Sequence, residues 1–151
     1  MIILLFNIIL AFIIPWIFVV WLFFINPKII LIIFSFTSVV SHTINAIGIN
    51  MNFWAVKPFE LKAFSALPFD LGYFPLLGCF LVYIISKTKR NPYSTIFIFV
   101  FLITCIEFLG VLSEFIIYGN GWNIFYTYFS YLIAYTLVYW YYLWLKKLNI
   151  F

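Results

Sequence analysis

Two glutamates, Glu107 and Glu114, lie seven residues apart in an otherwise uncharged, apolar stretch from residue 93 to residue 118. At about 100° per residue on an α-helix, this spacing brings two side chains within about 20° of each other, so we expect both carboxylates on one face. Carboxylates inside a membrane span are costly unless they are paired or hydrated, and they commonly mark an ion, proton or substrate site. The pair therefore predicts a polar intramembrane site, with purely structural hydrogen bonding as the alternative.

Helical periodicity places further polar residues on two other apolar segments. In the first, His42 and Asn45 share a face with three serines, which are Ser35, Ser38 and Ser41. In the last, the polar or small face comprises Asn123, Thr127, Ser130, Tyr131 and Ala134. Such faces commonly serve close helix packing. Near carboxylates, however, a histidine is a natural proton partner, so we include His42 and Asn45 in the predicted site.

Asp70 stands in the sequence LPFDLGYFP, just before a predicted helix. A carboxylate in that position can accept hydrogen bonds from the first backbone N–H groups of the helix, and capping is the role we predict for it. The competing hypothesis is an ion contact or gate at the mouth of the polar site. Asp70 completes the predicted intramembrane site with Glu107, Glu114, His42 and Asn45.

The composition requires a membrane setting for these residues. Of the 151 residues, 68% are hydrophobic and 8% are charged, whereas soluble domains are about 45–50% apolar and about 25% charged. Runs close to the ~20 residues that a bilayer requires predict five spans, at about 2–25, 29–49, 69–86, 94–117 and 124–145. We expect one all-α integral membrane domain over residues 1–151. If the third span, which contains Pro75 and Gly78, begins only at Tyr73, it is short enough to be a half-span or a re-entrant element.

The basic residues predict the orientation of this bundle. One side receives Lys28, Lys87, Lys89, Arg90, Lys146 and Lys147, and the other receives only Lys57 and Lys62. The positive-inside rule then places the C-terminus in the cytoplasm and the N-terminus outside. Residues 50–67 form the one sizeable loop, and its aromatic residues predict an interfacial connector lying flat on the outer surface, with a lid over the cavity as the alternative.

Motifs for soluble chemistry are missing from the sequence. It has no phosphate-binding loop, dinucleotide fingerprint, HExxH or Gly-x-Ser-x-Gly sequence, so no cofactor and no catalytic residue is predicted. A metal site from one histidine and scattered carboxylates is not predicted either. The net charge of +4 needs no nucleic-acid partner, because the basic residues flank the spans and meet lipid headgroups.

Several sequence features are similar to those of one protein group. They are LPFD followed by Pro75, the basic turn KTKRNP, Glu107 in a fourth span, and Gly121-Trp122 before a Tyr-rich last span. Over about the last 85 residues the chain resembles uncharacterised small multipass membrane proteins of low-GC, often spore-forming, Gram-positive bacteria. The resemblance implies a bacterial plasma-membrane protein, and it implies no activity.

The function that we predict from these residues is non-enzymatic. It is a small permease or accessory subunit, in which an acidic, outward-opening polar site binds a cation, a proton or a small polar ligand. Its partners would be the lipid bilayer and further copies of the chain or another membrane protein. Two alternatives stay open, an intramembrane enzyme that uses carboxylates as acid and base on a lipid or isoprenoid, and a purely structural membrane scaffold.

Overall fold

The computed structural model describes residues 2–151 as five helices and one short two-stranded ribbon. The helices are α1 (Ile2–Ile25), α2 (Ile29–Asn50), α3 (Phe59–Lys87), α4 (Pro92–Leu112) and α5 (Ile124–Lys147). The strands β1 (Trp54–Val56) and β2 (Ile116–Tyr118) lie between α2 and α3 and between α4 and α5. The first three helices contain wider π-helical turns at Ile9–Ile13, Ile29–Phe34 and Phe69–Tyr73. Helix α3 begins with a 3₁₀ portion, Phe59–Ser65, which is broken at Lys62.

Local turn chemistry explains where the helices begin. The side chain of Asn91 caps α4 by accepting from the amides of Tyr93 and Ser94, and Pro92 occupies the first helical position, where a missing N–H costs nothing. The side chain of Asn123 caps α5 in the same way. In the predicted turn before α5, Asn120 and Gly121 both have positive φ angles, 47° and 76°, which Asn and Gly tolerate best.

Helix α3 is the centre of the bundle and packs on all four other helices. In its most apolar stretch 44% of the residues are buried, against 22% in α1, α2 and α4. Glycines allow the closest approaches. A Cβ on Gly72 would lie 2.2 Å from the backbone oxygen of Ala11 in α1, and one on Gly78 would lie 2.5 Å from the hydroxyl of Thr37 in α2. Small residues at crossings are how membrane helices come into contact.

The outer surface of the bundle is strongly apolar. Helices α1 and α4 expose isoleucine, leucine and phenylalanine side chains along most of their length, far beyond the isolated apolar patches of soluble monomers. Four helices, α1 to α4, are long and apolar enough to cross a membrane. Helix α5 has 24 residues, but seven of them are tyrosines, whose hydroxyl groups make it less apolar.

The helix bounds agree with those predicted from the sequence to within a few residues, except at the start of α3 and at the end of α4. Helix α3 begins at Phe59, ten residues before the predicted boundary at 69. The third helical segment is continuous from Phe69 to Lys87, so the short half-span considered above is not formed. The fourth ends at Leu112, five residues before the predicted boundary at 117, because the chain turns into β2. That early end removes Glu114 from the helix.

The all-α prediction missed the ribbon. Strands β1 and β2 pair in antiparallel register, with Trp54 opposite Tyr118 and Val56 opposite Ile116. Residues 50–67 are therefore not a plain flat connector, because their first part pairs with the α4–α5 connection over one end of the bundle. The later part keeps an exposed Phe64 and Leu61, as expected for a segment at headgroup level.

The contact between α1 and α3 gives a first prediction. Gly72→Ala places a methyl group against the backbone of Ala11, which cannot rotate away, so we expect a loss of about 1–3 kcal/mol of stability. Gly110→Ala in α4 is the matched control, because its nearest neighbour is the flexible Cδ1 of Ile116 at 3.0 Å. Thermal unfolding in detergent, followed by circular dichroism, should show a lower midpoint for Gly72→Ala alone. Equal midpoints for both variants would contradict this packing.

Candidate functional site

Asp70 is completely buried in the π-helical turn of α3 and is held by polar side chains of α2. Its Oδ1 accepts a hydrogen bond from Nδ2 of Asn45 at 2.7 Å, and its Oδ2 lies 3.1 Å from Nδ1 of His42. A carboxylate without a proton can only accept, so a proton lies between Asp70 and His42 in either ionisation state. The polar face predicted for α2 is the face that meets Asp70.

Two of the serines on this face, Ser38 and Ser41, bind the backbone oxygen of Asp70. In the π-helical turn the amide of Phe74 donates to the oxygen of Phe69, so the next amide in this register would belong to Pro75. Proline has no N–H. Instead, the hydroxyl of Ser38 donates to the oxygen of Asp70 at 2.8 Å, with Ser41 at 3.5 Å. Side-chain hydroxyls thus replace a missing helical hydrogen bond, as an apolar surrounding requires.

The capping role predicted for Asp70 is wrong. Pro68 precedes the π-helical turn, and no side chain caps its amides. The carboxylate of Asp70 binds the side chains of His42 and Asn45 instead. The reason is that α3 already begins upstream, at Phe59, so Asp70 lies inside the helical segment. The competing hypothesis, an ion contact or gate at the mouth of the polar site, stays a prediction.

Glu107 in α4 is held by tyrosines from β2 and α5. Its Oε1 accepts from the hydroxyl of Tyr118 at 2.7 Å, and its Oε2 accepts from the hydroxyl of Tyr131. Tyr118 accepts in turn from Thr127 at 2.9 Å, and Thr127 from the indole of Trp122 at 2.9 Å. Burial, together with the neighbouring carboxylate of Glu107, raises the pKa of Tyr118 well above its ordinary value, so Tyr118 remains a donor.

Neither the buried Asp70 nor the half-buried Glu107 has a lysine or arginine partner. The contact between His42 and Asp70 is the one ion-pair distance within residues 2–151, and it is ionic only when His42 is protonated. The side chain of His42 is 53% exposed, whereas that of Asp70 is inaccessible. No group of three or more His, Cys, Asp or Glu side chains that could hold a metal ion occurs in this part of the chain.

A cavity of about 60 Å³ separates the two acidic groups. Asn45 and Glu107 both line it, and the remaining walls combine aromatic residues, including Trp54, Trp122 and Tyr131, with aliphatic and hydroxyl-bearing ones. A second cavity of about 30 Å³ adjoins it between α2, α3 and α5. The two cavities share the lining residues Ile44, Asn45, Phe74, Ser130 and Tyr131. The arrangement is a polar and aromatic chamber inside an apolar bundle.

The ribbon connects the two acids over this chamber. Asn45, which binds Asp70, also accepts from the indole of Trp54 in β1 at 3.1 Å. Tyr118, which binds Glu107, lies directly opposite Trp54 in β2. Gly48 leaves room for the indole, because a Cβ there would lie 2.0 Å from Trp54. Tyr118 of β2 therefore binds Glu107 directly, and Trp54 of β1 is connected to Asp70 through Asn45. Trp54 also lines the cavity, where the alternative interpretation of this loop places a lid.

Of the five site residues predicted from the sequence, the structure brings four to this chamber or its immediate neighbours. Asp70, His42 and Asn45 form one cluster, and Glu107 lies across the cavity. Glu114 does not join them. It follows the end of α4 with a φ of 54° and an exposed side chain. The expected common face with Glu107 is absent because the helix does not continue to residue 114.

Trp54, Tyr118 and Trp122 are the functional candidates that sequence reasoning missed. All three depend on the ribbon, whose strands are only three residues long and sixty residues apart. Tyr131 was placed on the polar face of the last helix, and its bond to Glu107 agrees with that face. Comparison with models of known families, with curated proteins and with solved structures finds no match to this chain.

Asn45 gives the prediction for this site. Asn45→Ala removes a donor to the buried Asp70 and the acceptor of Trp54, and an unsatisfied buried group costs about 1–3 kcal/mol. We expect amide exchange in residues 53–58 and 115–119 to become roughly 5- to 150-fold faster. Thr43→Ala is the control, because Thr43 is exposed and bonds only its own helix, at the oxygen of Val39. Unchanged exchange in Asn45→Ala, measured by mass spectrometry, would show that the acids do not hold the ribbon.

Proposed function

We propose that this chain is a non-enzymatic multipass membrane protein, a small permease or accessory subunit, whose acidic chamber binds a proton or a small cation. The observation that carries the proposal is the pair of carboxylates of Asp70, which is buried, and Glu107, which is half-buried, since neither has a lysine or arginine within ion-pair distance. Each ionised carboxylate in a membrane interior costs about 2.5–3.5 kcal/mol. A bound proton or cation would offset that cost.

We propose further that all five helices cross the membrane. The ribbon joins the α2–α3 and α4–α5 connections at one end of the bundle. At the other end, Nζ of Lys28 donates to the backbone oxygen of Ile150 at 3.0 Å, which joins the α1–α2 turn to the C-terminus. Consecutive helices thus alternate in direction, so α5 would cross the bilayer beside the four more apolar helices.

The orientation follows from the charges at the two ends. Six basic residues belong to the α1–α2 and α3–α4 turns and the C-terminal end, and two belong to the ribbon end. By the positive-inside rule the ribbon end would face the exterior and the C-terminus the cytoplasm. The resemblance of about the last 85 residues to membrane proteins of low-GC Gram-positive bacteria supports the plasma membrane as the location.

The size of the chamber favours a small ligand over a lipid substrate. Its volume of about 60 Å³ is well below the ~150 Å³ cavity that accepts a single benzene ring. An enzyme acting on an isoprenoid or acyl chain needs an elongated apolar tunnel that reaches the carboxylates. The adjoining second cavity instead extends the chamber along Ser41 and Thr37 towards the middle of the bundle, which suits stepwise passage of a small polar species.

Glu107 and Glu114 provide a matched pair for a flux assay. In liposomes with a pH-sensitive dye and an imposed membrane potential, we expect the wild type and Glu114→Gln to carry proton or cation flux above empty vesicles. Glu107→Gln should reduce that flux to the empty-vesicle level, because the amide can neither exchange a proton nor neutralise a cation. If all three proteins match empty vesicles, the permease version of the proposal is wrong.

Cysteine labelling tests the orientation. The two native cysteines, Cys79 and Cys105, are first replaced by alanine, and single cysteines are placed at Glu114 or Lys89. We expect a membrane-impermeant maleimide to label position 114 on intact cells and position 89 only after lysis. The opposite pattern would reverse the proposed topology.

A further inference from the structure

Two kinds of wall residue in the chamber between Asn45 and Glu107, the aromatic and the oxygen-bearing, can attract a charged ligand, and aliphatic side chains form the rest of the walls. Aromatic rings come from the ribbon side, Trp54 and Trp122, and from α3, Phe69 and Phe74. Oxygen atoms enter from one side, where Glu107 is joined by the hydroxyl-bearing residues Thr127, Ser130 and Tyr131. Aromatic faces carry partial negative charge and attract cations, with tryptophan the strongest. Both kinds of wall favour a positive ligand.

The carboxylate of Glu107 retains capacity for such a ligand. A carboxylate has about four acceptor positions, and the tyrosine hydroxyls of Tyr118 and Tyr131 occupy one on each oxygen. The remaining positions are available to N–H donors from the chamber. Since both tyrosines are neutral donors, they provide no positive charge opposite an ionised Glu107.

The wall chemistry distinguishes between classes of cation. Mg²⁺ and Ca²⁺ require shells of about six or more oxygen ligands, and residues 2–151 contain no group of three or more His, Cys, Asp or Glu side chains that could hold a metal ion. An ammonium group needs only a few acceptors for its N–H donors and gains from aromatic rings around the rest of its surface. A volume of about 60 Å³ accepts a group of a few heavy atoms and excludes a quaternary ammonium with four substituents.

We infer that this chamber is a binding site for ammonium or a small primary alkylammonium cation, with Glu107 as its counter-ion and Trp54 and Trp122 as its aromatic walls. The inference rests on the proposed function and specifies the ligand class of the same site. Asp70 has a different role here. It does not line the chamber, and it positions Asn45 and, through Asn45, the covering indole of Trp54.

Equilibrium binding of methylammonium to the purified protein in detergent tests this inference. By titration calorimetry, the wild type and Glu114→Gln should bind methylammonium with equal affinity, and Glu107→Gln should bind it at least about tenfold more weakly. Sodium and tetramethylammonium at the same concentrations should give no binding, the first for lack of an oxygen shell and the second for its size. Absence of methylammonium binding to the wild type overturns the inference, as does equal binding by Glu107→Gln.

Circular dichroism would show whether Glu107→Gln fails to fold. In that case a second pair of variants, at Ser130, tests the inference. Ser130 lines the chamber without taking part in the bonds that hold Glu107. Ser130→Leu should fill the chamber and abolish methylammonium binding, while Ser130→Ala should retain it. Equal binding by both variants would place any methylammonium site elsewhere and overturn the inference.

The binding result separates this inference from the proposed function. If the wild type does not bind methylammonium but still carries flux that depends on Glu107, the alkylammonium inference is wrong and the cation or proton site remains. If binding and flux are both absent, the inference and the permease version of the function fail together.

Discussion

The need to satisfy polar groups away from water governs the centre of this protein. The π-helical turn of α3 and Pro75 leave the backbone oxygen of Asp70 without an amide donor, and its carboxylate is buried beside it. Only the polar face of α2 supplies the hydroxyl, amide and imidazole groups that both require. This requirement fixes the rotation of α2 against α3, and therefore the direction in which Asn45 presents its amide oxygen to the ribbon.

Asp70 and Glu107 are both carboxylates, but they occupy different positions in the bundle. Asp70 does not line the chamber. It acts through the side chains of α2 that it binds and orients. Glu107 borders the chamber and is held only by hydroxyl groups. A carboxylate that neighbouring side chains fully enclose favours a defined geometry, whereas one that faces a cavity can exchange what it binds. In the proposed site, Asp70 therefore holds its neighbours in position, whereas Glu107 binds the ligand.

Much of this arrangement could be predicted from local sequence. Apart from the start of α3 and the end of α4, apolar run length and the Asn, Pro and Gly turns predict the helix bounds within a few residues, and helical periodicity identifies the faces that contain His42, Asn45 and Tyr131. What could not be predicted depends on pairing between distant segments. The ribbon uses three residues from each of two connections, too few for a recognisable strand pattern. Its formation ends α4 early, which is why Glu114 was misplaced and Trp54 and Tyr118 were overlooked.

The position of the ribbon also constrains the order in which the chain assembles during synthesis. β1 leaves the ribosome long before its partner, since about sixty residues separate Trp54 from Tyr118, and translation proceeds at roughly 5–20 residues per second. The first three helices are therefore made several seconds before β1 has its partner strand. The chamber between Asn45 and Glu107 is complete only after α4, β2 and α5 have been made, because Glu107, Trp122 and Tyr131 form part of its walls.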